Sequence, residues 1–166
     1  MPLLYFVNIS LHILSALFWL GGLFFLAIVG APVLRAVNDA ALRQQLFDRL
    51  GRRFRAAGWV ALVVLLLTGV VNLYFKGWLR WDGVFGSSAF WRQPAGLALA
   101  VKLVSVTGML IASAVHDFWL GPRAGRASPG SPEAARLRRS AALVARWNAL
   151  LGLAAVLAAI RLARGG

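Results

Sequence analysis

Four long apolar stretches alternate along the chain with shorter segments that are rich in arginine, glycine or tryptophan. The apolar stretches cover residues 3–31, 57–75, 95–120 and 142–162. Each is long enough to cross the hydrocarbon core of a bilayer as a helix, which takes roughly 20 apolar residues. The pattern predicts an all-α fold, a four-transmembrane-helix bundle in a lipid bilayer, formed as one domain by residues 1–166.

Two of these stretches carry a row of polar or small residues at helical spacing. The row in the first stretch is Asn8, His12, Ser15, Trp19 and Gly22. The row in the third stretch is Lys102, Ser105, Met109, Ala112 and His116. Residues three and four apart share one face of a helix. Each row therefore predicts a polar seam that faces the interior of the bundle.

Cap and break signals divide the segments between the spans. Asn38 and Asp39 can cap a short amphipathic helix on the inner membrane surface, with apolar residues at Leu42, Leu46, Phe47 and Leu50. Pro32 predicts an end or a kink of the first span, and the run 121–123 (Gly-Pro-Arg) predicts the end of the third. The run 131–133 (Ser-Pro-Glu) predicts the start of the last helix.

The charges are distributed unevenly. The chain has a net charge of +13, is 60% hydrophobic and contains no cysteine. The first and third connecting segments hold most of the basic residues, namely Arg35, Arg43, Arg49, Arg52, Arg53, Arg55, Arg123, Arg126, Arg136, Arg138 and Arg139. The positive-inside rule then places these segments in the cytoplasm and both termini outside, in a bacterial-type inner membrane. The basic residues are expected against anionic lipid headgroups, and no nucleic-acid partner is expected.

Ionisable residues inside the spans suggest two polar sites. With α-helical rise, His12 lies ~12 Å and Lys102 ~9 Å from the outer surface, whereas His116 lies ~30 Å from it. The outer site would combine His12, Lys102, Ser105, Thr68, Asn72 and Trp19. The inner site would combine His116, Asp117, Arg146, Asn148 and the loop arginines. A depth difference of ~18 Å disfavours both histidines as ligands of one haem.

Each of these residues also has a purely structural interpretation. His12 can simply be hydrogen-bonded across helices, Lys102 can reach the outer interface, and Met109 can be packing. His116 with Asp117 can be a surface pair at a helix end. The aromatic residues of the outer hairpin can form an interfacial belt or a lid over a planar ligand; they are Trp78, Trp81, Phe85, Phe90 and Trp91.

Five short motifs resemble two known families of small membrane proteins. The motifs are Leu11-His12-Ile13, Phe18-Trp19-Leu20-Gly21-Gly22, Leu67-Thr68-Gly69 with Asn72, Lys102-Leu103 and Arg146-Trp147-Asn148. They resemble the membrane domain of the CopD copper-resistance family, and also the HemJ-type protoporphyrinogen oxidases, which are four-helix membrane proteins. The CopD-like resemblance implies copper movement across the inner membrane with a periplasmic copper carrier. The HemJ-like resemblance implies that His12 binds haem b, with Lys102, Arg146 and Asn148 as contacts to propionates or substrate.

Three functional hypotheses follow. The first is a haem b redox protein, an oxidoreductase of HemJ-like type acting on quinone or a porphyrin substrate, with His12 as axial ligand and Trp19 against the ring. The second is a copper transporter with a stepped path through His12, Met109 and His116. The third is an assembly subunit without a cofactor, and small-residue faces allow a homodimer. The first is favoured because Cu(I) prefers sulfur ligands, and the chain offers only Met1 and Met109.

The candidate site residues fall into two groups. Those for cofactor binding are His12, Trp19, Lys102, Ser105, Met109, His116, Arg146 and Asn148. Of these, His12 and His116 are the candidate metal ligands, and the sequence assigns no catalytic residue.

Overall fold

The structure is built from four long helices, as predicted. The computed structural model describes residues 3–79 and 84–165. The long helices are α1 (Leu3–Arg35), α2 (Ala40–Phe75), α4 (Pro94–Arg126) and α5 (Pro132–Ala163), and α3 (Ser88–Arg92) is a short helix before α4. A 3₁₀ turn, Val84–Gly86, precedes α3, and the described residues form no strand. The all-α prediction with four membrane spans is thus confirmed, while Arg80, Trp81 and Met1 lie outside the described residues.

Side-chain caps fix where the helices begin. Asp39 Oδ1 accepts hydrogen bonds from the backbone nitrogens of Ala41 (2.8 Å) and Leu42 (3.1 Å). Ser131 Oγ accepts one from Ala134 N over 3.1 Å, and Pro132 occupies the first helical position. Both caps satisfy backbone donors that have no partner within the helix. They confirm the predicted starts of α2 and α5.

The first and third spans do not end at their prolines but form a π-helical turn just before them. Leu26–Gly30 of α1 and Val115–Leu120 of α4 are π-helical, and each precedes a proline by two residues, Pro32 and Pro122. Proline lacks a donor and crowds the carbonyl four residues before it. A π-turn shifts the hydrogen-bond register, as in the bond from Gly121 N to His116 O. The helices therefore continue to Arg35 and Arg126, beyond the predicted ends.

The predicted amphipathic helix is not a separate element. Residues 40–55 form the first part of α2, which runs without interruption for 36 residues. Gln44, which is buried, holds this part against the segment between α4 and α5. Its Nε2 donates to Gly125 O (2.9 Å) and Ala127 O (3.0 Å), and its Oε1 accepts from Arg138 (3.2 Å). The sequence had predicted that this part lies on the inner membrane surface, whereas these contacts join it to other parts of the protein.

The bundle consists of two helix pairs that meet around Trp19. Helix α1 packs mainly on α2, α4 packs mainly on α5, and α1 also contacts α5. Trp19 is only 4% exposed and forms the core with Ala61, Leu62, Met109 and Ala155. We call the end of the bundle with Arg35, Arg53, Arg123 and Arg139 the basic end, and the opposite end the far end. A helix of 36 residues is ~54 Å long, well over the ~30 Å of hydrocarbon, so the helices extend beyond the bilayer at the basic end.

Candidate functional site

His12 is anchored at the interface of α1 and α2, toward the far end. Its Nδ1 lies 2.8 Å from Thr68 Oγ1. The Thr68 hydroxyl donates its single proton to Val64 O over 2.6 Å, so it can only accept from His12. We therefore infer that the neutral imidazole carries its proton on Nδ1 and keeps its lone pair on Nε2. An imidazole fixed through one nitrogen and presenting the other is the arrangement found in metal-binding histidines.

Two asparagines complete the polar contacts around His12. The buried Asn8 donates from Nδ2 to Thr68 O (3.2 Å) and to Asn72 Oδ1 (2.9 Å). Gly69 lies beside the imidazole, since a Cβ at this position would be in ordinary van der Waals contact with His12 Cε1, at 3.7 Å. The first predicted seam thus does face α2, where Thr68 and Asn72 serve it as expected.

The third-span members of the predicted outer site do not join this network. Lys102 is half-buried and Ser105 is buried on α4, but within the described residues no hydrogen bond links either one to His12. Trp19 lies deeper, with Cδ1 3.7 Å from where a Gly58 Cβ would be. A ring held in the core this way is not free to cover a cofactor beside His12. The membership of Lys102, Ser105 and Trp19 in the outer site therefore stays a prediction.

Met109 lies in the middle of the bundle. Its Sδ is 3.9 Å from the position of a Gly152 Cβ, and the side chain is 6% exposed. Met109 packs with Trp19, so the two side chains lie at the same level in the bundle. Along α1, Trp19 is seven residues from His12, and along α4, Met109 is seven residues from His116. Each separation corresponds to ~10 Å along the helix. The thioether is thus roughly equidistant in depth from the two histidines.

A second histidine is anchored near the basic end, within the π-turn of α4. His116 Nδ1 lies 2.8 Å from Asp117 Oδ1, and the two side chains are 35% and 19% exposed. Asp117 Oδ2 accepts a hydrogen bond from Trp59 Nε1 over 3.0 Å. Arg55 donates to the Asp117 carbonyl oxygen over 2.9 Å. A carboxylate can only accept, so His116 also carries its proton on Nδ1 and presents Nε2.

The predicted inner site is divided in the structure. Asn148 Nδ2 donates to Ser113 Oγ over 2.8 Å, in the buried interface of α4 and α5. Arg146 is exposed, because residues two apart on a helix point to different faces. Neither Arg146 nor Asn148 has a hydrogen bond to His116 or Asp117 within the described residues. The structure joins His116 with Asp117, whereas a shared site with Arg146 and Asn148 stays a prediction.

Two partners of these sites, Ser113 and Trp59, are not among the predicted site residues, whereas Arg55 is one of the loop arginines predicted for the inner site. Ser113 continues the row of Ser105 and Met109 at steps of four, so its spacing was a usable signal. Trp59 and Arg55 contact Asp117 across α2 and α4, and nothing in the spacing of Trp59 indicates its contact.

The aromatic residues at the far end pack on one another. The Trp78 and Phe90 rings are 5.4 Å apart, Phe90 and Trp91 are also 5.4 Å apart, and Lys76 Nζ lies 5.1 Å from the Trp78 ring centre. Phe85 and Trp91 are 5.7 Å apart. Whether this cluster is an interfacial belt or a lid stays a prediction.

Acidic, histidine and cysteine side chains form no group of three or more that could hold a metal ion within residues 3–79 and 84–165. The two histidines instead belong to separate networks, one between α1 and α2 and the other between α2 and α4. This geometry suits two successive contacts for a ligand better than one closed metal centre.

Comparison with known proteins identifies the family. A family model described as copper resistance protein D, CopD, matches residues 48–162, which is more than half of the 166 residues. The chain belongs to the CopD family. An uncharacterized protein of Aquifex aeolicus (strain VF5) is 32% identical over 115 residues, which cover 69% of this chain and 68% of that protein. No solved structure matches the chain significantly.

The CopD match extends from within α2 to the end of α5 and leaves out α1 with His12. It includes Thr68, Met109, His116 and Asn148. The family and the four apolar helices together define a multi-pass membrane protein of the copper-resistance type.

Proposed function

We propose that this CopD-family protein carries copper ions across the membrane, with His12 as the contact at one end of the bundle and His116 as the contact at the other. The observation that carries the proposal is the shared anchoring of the two histidines. Each ring is fixed through Nδ1, by Thr68 or by Asp117, which leaves Nε2 to bind a metal ion. Neutral imidazole is a good copper ligand.

Met109 supports a path between the two ends. Its thioether is the soft type of ligand that Cu(I) prefers, and it lies in the core between the levels of His12 and His116. The three side chains are ~10 Å apart in depth, so each would bind the cation separately. Conduction requires that each site bind the ion weakly enough to release it.

The distribution of charge supports an orientation for this path. By the positive-inside rule the arginines favour a cytoplasmic basic end, in which case His116 would face the cytoplasm and His12 the outside of the inner membrane. Both termini are then outside. The direction of net copper movement is left to the experiment.

The haem b hypothesis receives no support from the family match. Trp19, which was expected to flank the ring, is engaged in the core with Ala61 and Met109. Haem binding by His12, with quinone or porphyrin oxidation, therefore stays a prediction, as does the assembly subunit without a cofactor.

The proposal is tested with the purified protein in liposomes of defined lipid composition. We expect copper entry that saturates with concentration and that falls strongly in both His12→Ala and His116→Ala. Thr107→Val is the matched control, because Thr107 is exposed on the lipid-facing side of α4. Normal copper movement in either histidine variant would overturn the two-ended path.

An absorption spectrum of the same sample, oxidised and then reduced with dithionite, separates the hypotheses. A Soret band that shifts on reduction, with iron in the metal analysis, would establish the haem protein and refute copper carriage as the main function. A colourless protein that neither binds nor moves copper would leave the assembly subunit.

A further inference from the structure

Asn148 contains a buried oxygen that no described residue satisfies. The side chain is 4% exposed in the interface of α4 and α5, and its Nδ2 is used by Ser113. Its Oδ1 has no hydrogen-bond donor within reach among the described residues. A buried acceptor without a partner costs stability, about 1–3 kcal/mol in typical proteins. An oxygen retained at such a cost points to a ligand that supplies the missing positive charge or proton.

The neighbours of Asn148 on the buried face of α5 are small residues. The buried face of α5 consists of Asn148, Ala149, Gly152, Ala155 and Ala158. Asn148 is thus the large polar member of a face that is otherwise alanine and glycine. Ser113 and Ser105, on the facing side of α4, are also buried. The interface is therefore narrow, and it is more polar than the lipid-facing surface.

The position of this oxygen along the bundle is informative. Ser113 lies four residues from Met109 in one direction and four from Asp117 in the other, which is one helical turn each, or ~6 Å. Gly152, one turn from Asn148 on α5, lies against Met109. The Asn148–Ser113 pair therefore occupies the gap between the thioether and the anchored His116.

We propose that Asn148 Oδ1 is a transit ligand for the copper ion between Met109 and His116, so that the inner half of the path follows the α4–α5 interface. This inference rests on the proposed function. A carbonyl oxygen is a weak ligand for copper. Weak binding suits a position that an ion must leave, and a backbone or amide oxygen can replace part of the hydration shell of an ion inside a channel.

The test compares copper entry with thermal stability in Asn148→Leu. The variant removes an unsatisfied oxygen from an apolar interior, so we expect its melting temperature to be equal to or above that of the wild type. Copper entry should nevertheless fall about tenfold. Asn148→Ala removes the same oxygen without adding volume, and it should lose transport in the same way even if Leu is too large for the site. Thr107→Val should keep both quantities.

The outcomes separate the two proposals. Copper entry in Asn148→Leu and Asn148→Ala at the wild-type rate would overturn the transit ligand and leave the copper carrier intact. A wild-type protein that moves no copper would overturn both. A loss of transport that accompanies a lower melting temperature in both variants would show that Asn148 acts through folding, and would also refute the inference.

Discussion

The hydroxyl of Thr68 accepts the Nδ1 proton of His12 across the interface of α1 and α2, over 2.8 Å. This contact decides which nitrogen of the imidazole is presented. It also joins the first span, which the CopD match leaves out, to a helix that the match includes. The metal-binding capacity proposed for His12 thus depends on a residue of another helix.

Replacing Thr68 by valine should weaken copper binding at His12. The substitution keeps the shape of the side chain but removes the acceptor, so the imidazole is no longer fixed in orientation or tautomer. The loss of such a supporting partner typically lowers metal affinity roughly 10–100-fold. Copper titration of the purified variant measures this, with Thr107→Val as the control. An unchanged affinity would show that Thr68 does not prepare His12 for a metal.

Replacing Trp59 by phenylalanine should loosen the π-turn of α4. Trp59 Nε1 donates to Asp117 Oδ2, and its ring packs 5.4 Å from that of Phe118. Phenylalanine keeps much of the packing but removes the donor, at an expected cost of about 1 kcal/mol in the free energy of unfolding. Denaturant unfolding in detergent measures the change. Trp147→Phe is the control, since Trp147 is 60% exposed; equal effects of the two substitutions would contradict the role given to the hydrogen bond.

Gly96 should tolerate no side chain. A Cβ at this position would clash with the carbonyl oxygen of Phe90 and lie 2.8 Å from Trp91 Cα, both backbone atoms of the α3 region. Backbone cannot move aside as a flexible side chain can, so Gly96→Ala should displace α3 from α4 and lower the melting temperature.

The control for this substitution is Gly21→Ala. No atom lies within 4 Å of a Cβ added at Gly21. Alanine in the interior of a helix is favoured over glycine by about 0.5–1 kcal/mol. Gly21→Ala should therefore raise the melting temperature while Gly96→Ala lowers it, and a fall of equal size in both would refute this account of the α3–α4 contact.

The spans, the caps and one seam were predictable because they depend on local spacing. Asp39 and Ser131 cap helices through residues two or three positions away, and the row with Asn8 and His12 needs only helical periodicity. The pairing of helices does not follow from such patterns. Lys102 was assigned to the His12 site by its depth and its place in the second seam, and neither says which neighbouring helix a side chain contacts.

At the basic end, too, some features of the structure could not be predicted from the sequence. Pro32 was predicted to end or kink its helix and Pro122 to lie at a helix end, because a sequence cannot show that a π-turn will accommodate the proline. Likewise Arg146 and Asn148 are neighbours in sequence but lie on different faces of α5. Trp59 and Asp117 are 58 residues apart, and only the packing of α2 against α4 brings them together.

The contacts of Gln44 lead to a prediction about the basic end. The side chain is 7% exposed, and it uses both amide hydrogens on Gly125 and Ala127 and its oxygen on Arg138. Gln44→Leu keeps the volume but leaves two carbonyl oxygens and a guanidinium without these partners. The segment between α4 and α5 should then open more often, by roughly fivefold for each ~1 kcal/mol lost.

Trypsin cleavage after the exposed Arg126 reports this opening. Cleavage at this site should be faster in Gln44→Leu than in the wild type, while α1 and the far end stay intact in the fragments. Gln45→Leu is the matched control, because Gln45 is the adjacent residue of the same type and is exposed. If both variants are cleaved at the wild-type rate, the Gln44 bonds do not hold this segment, and the first part of α2 must be kept in line with its span by the continuity of the helix alone.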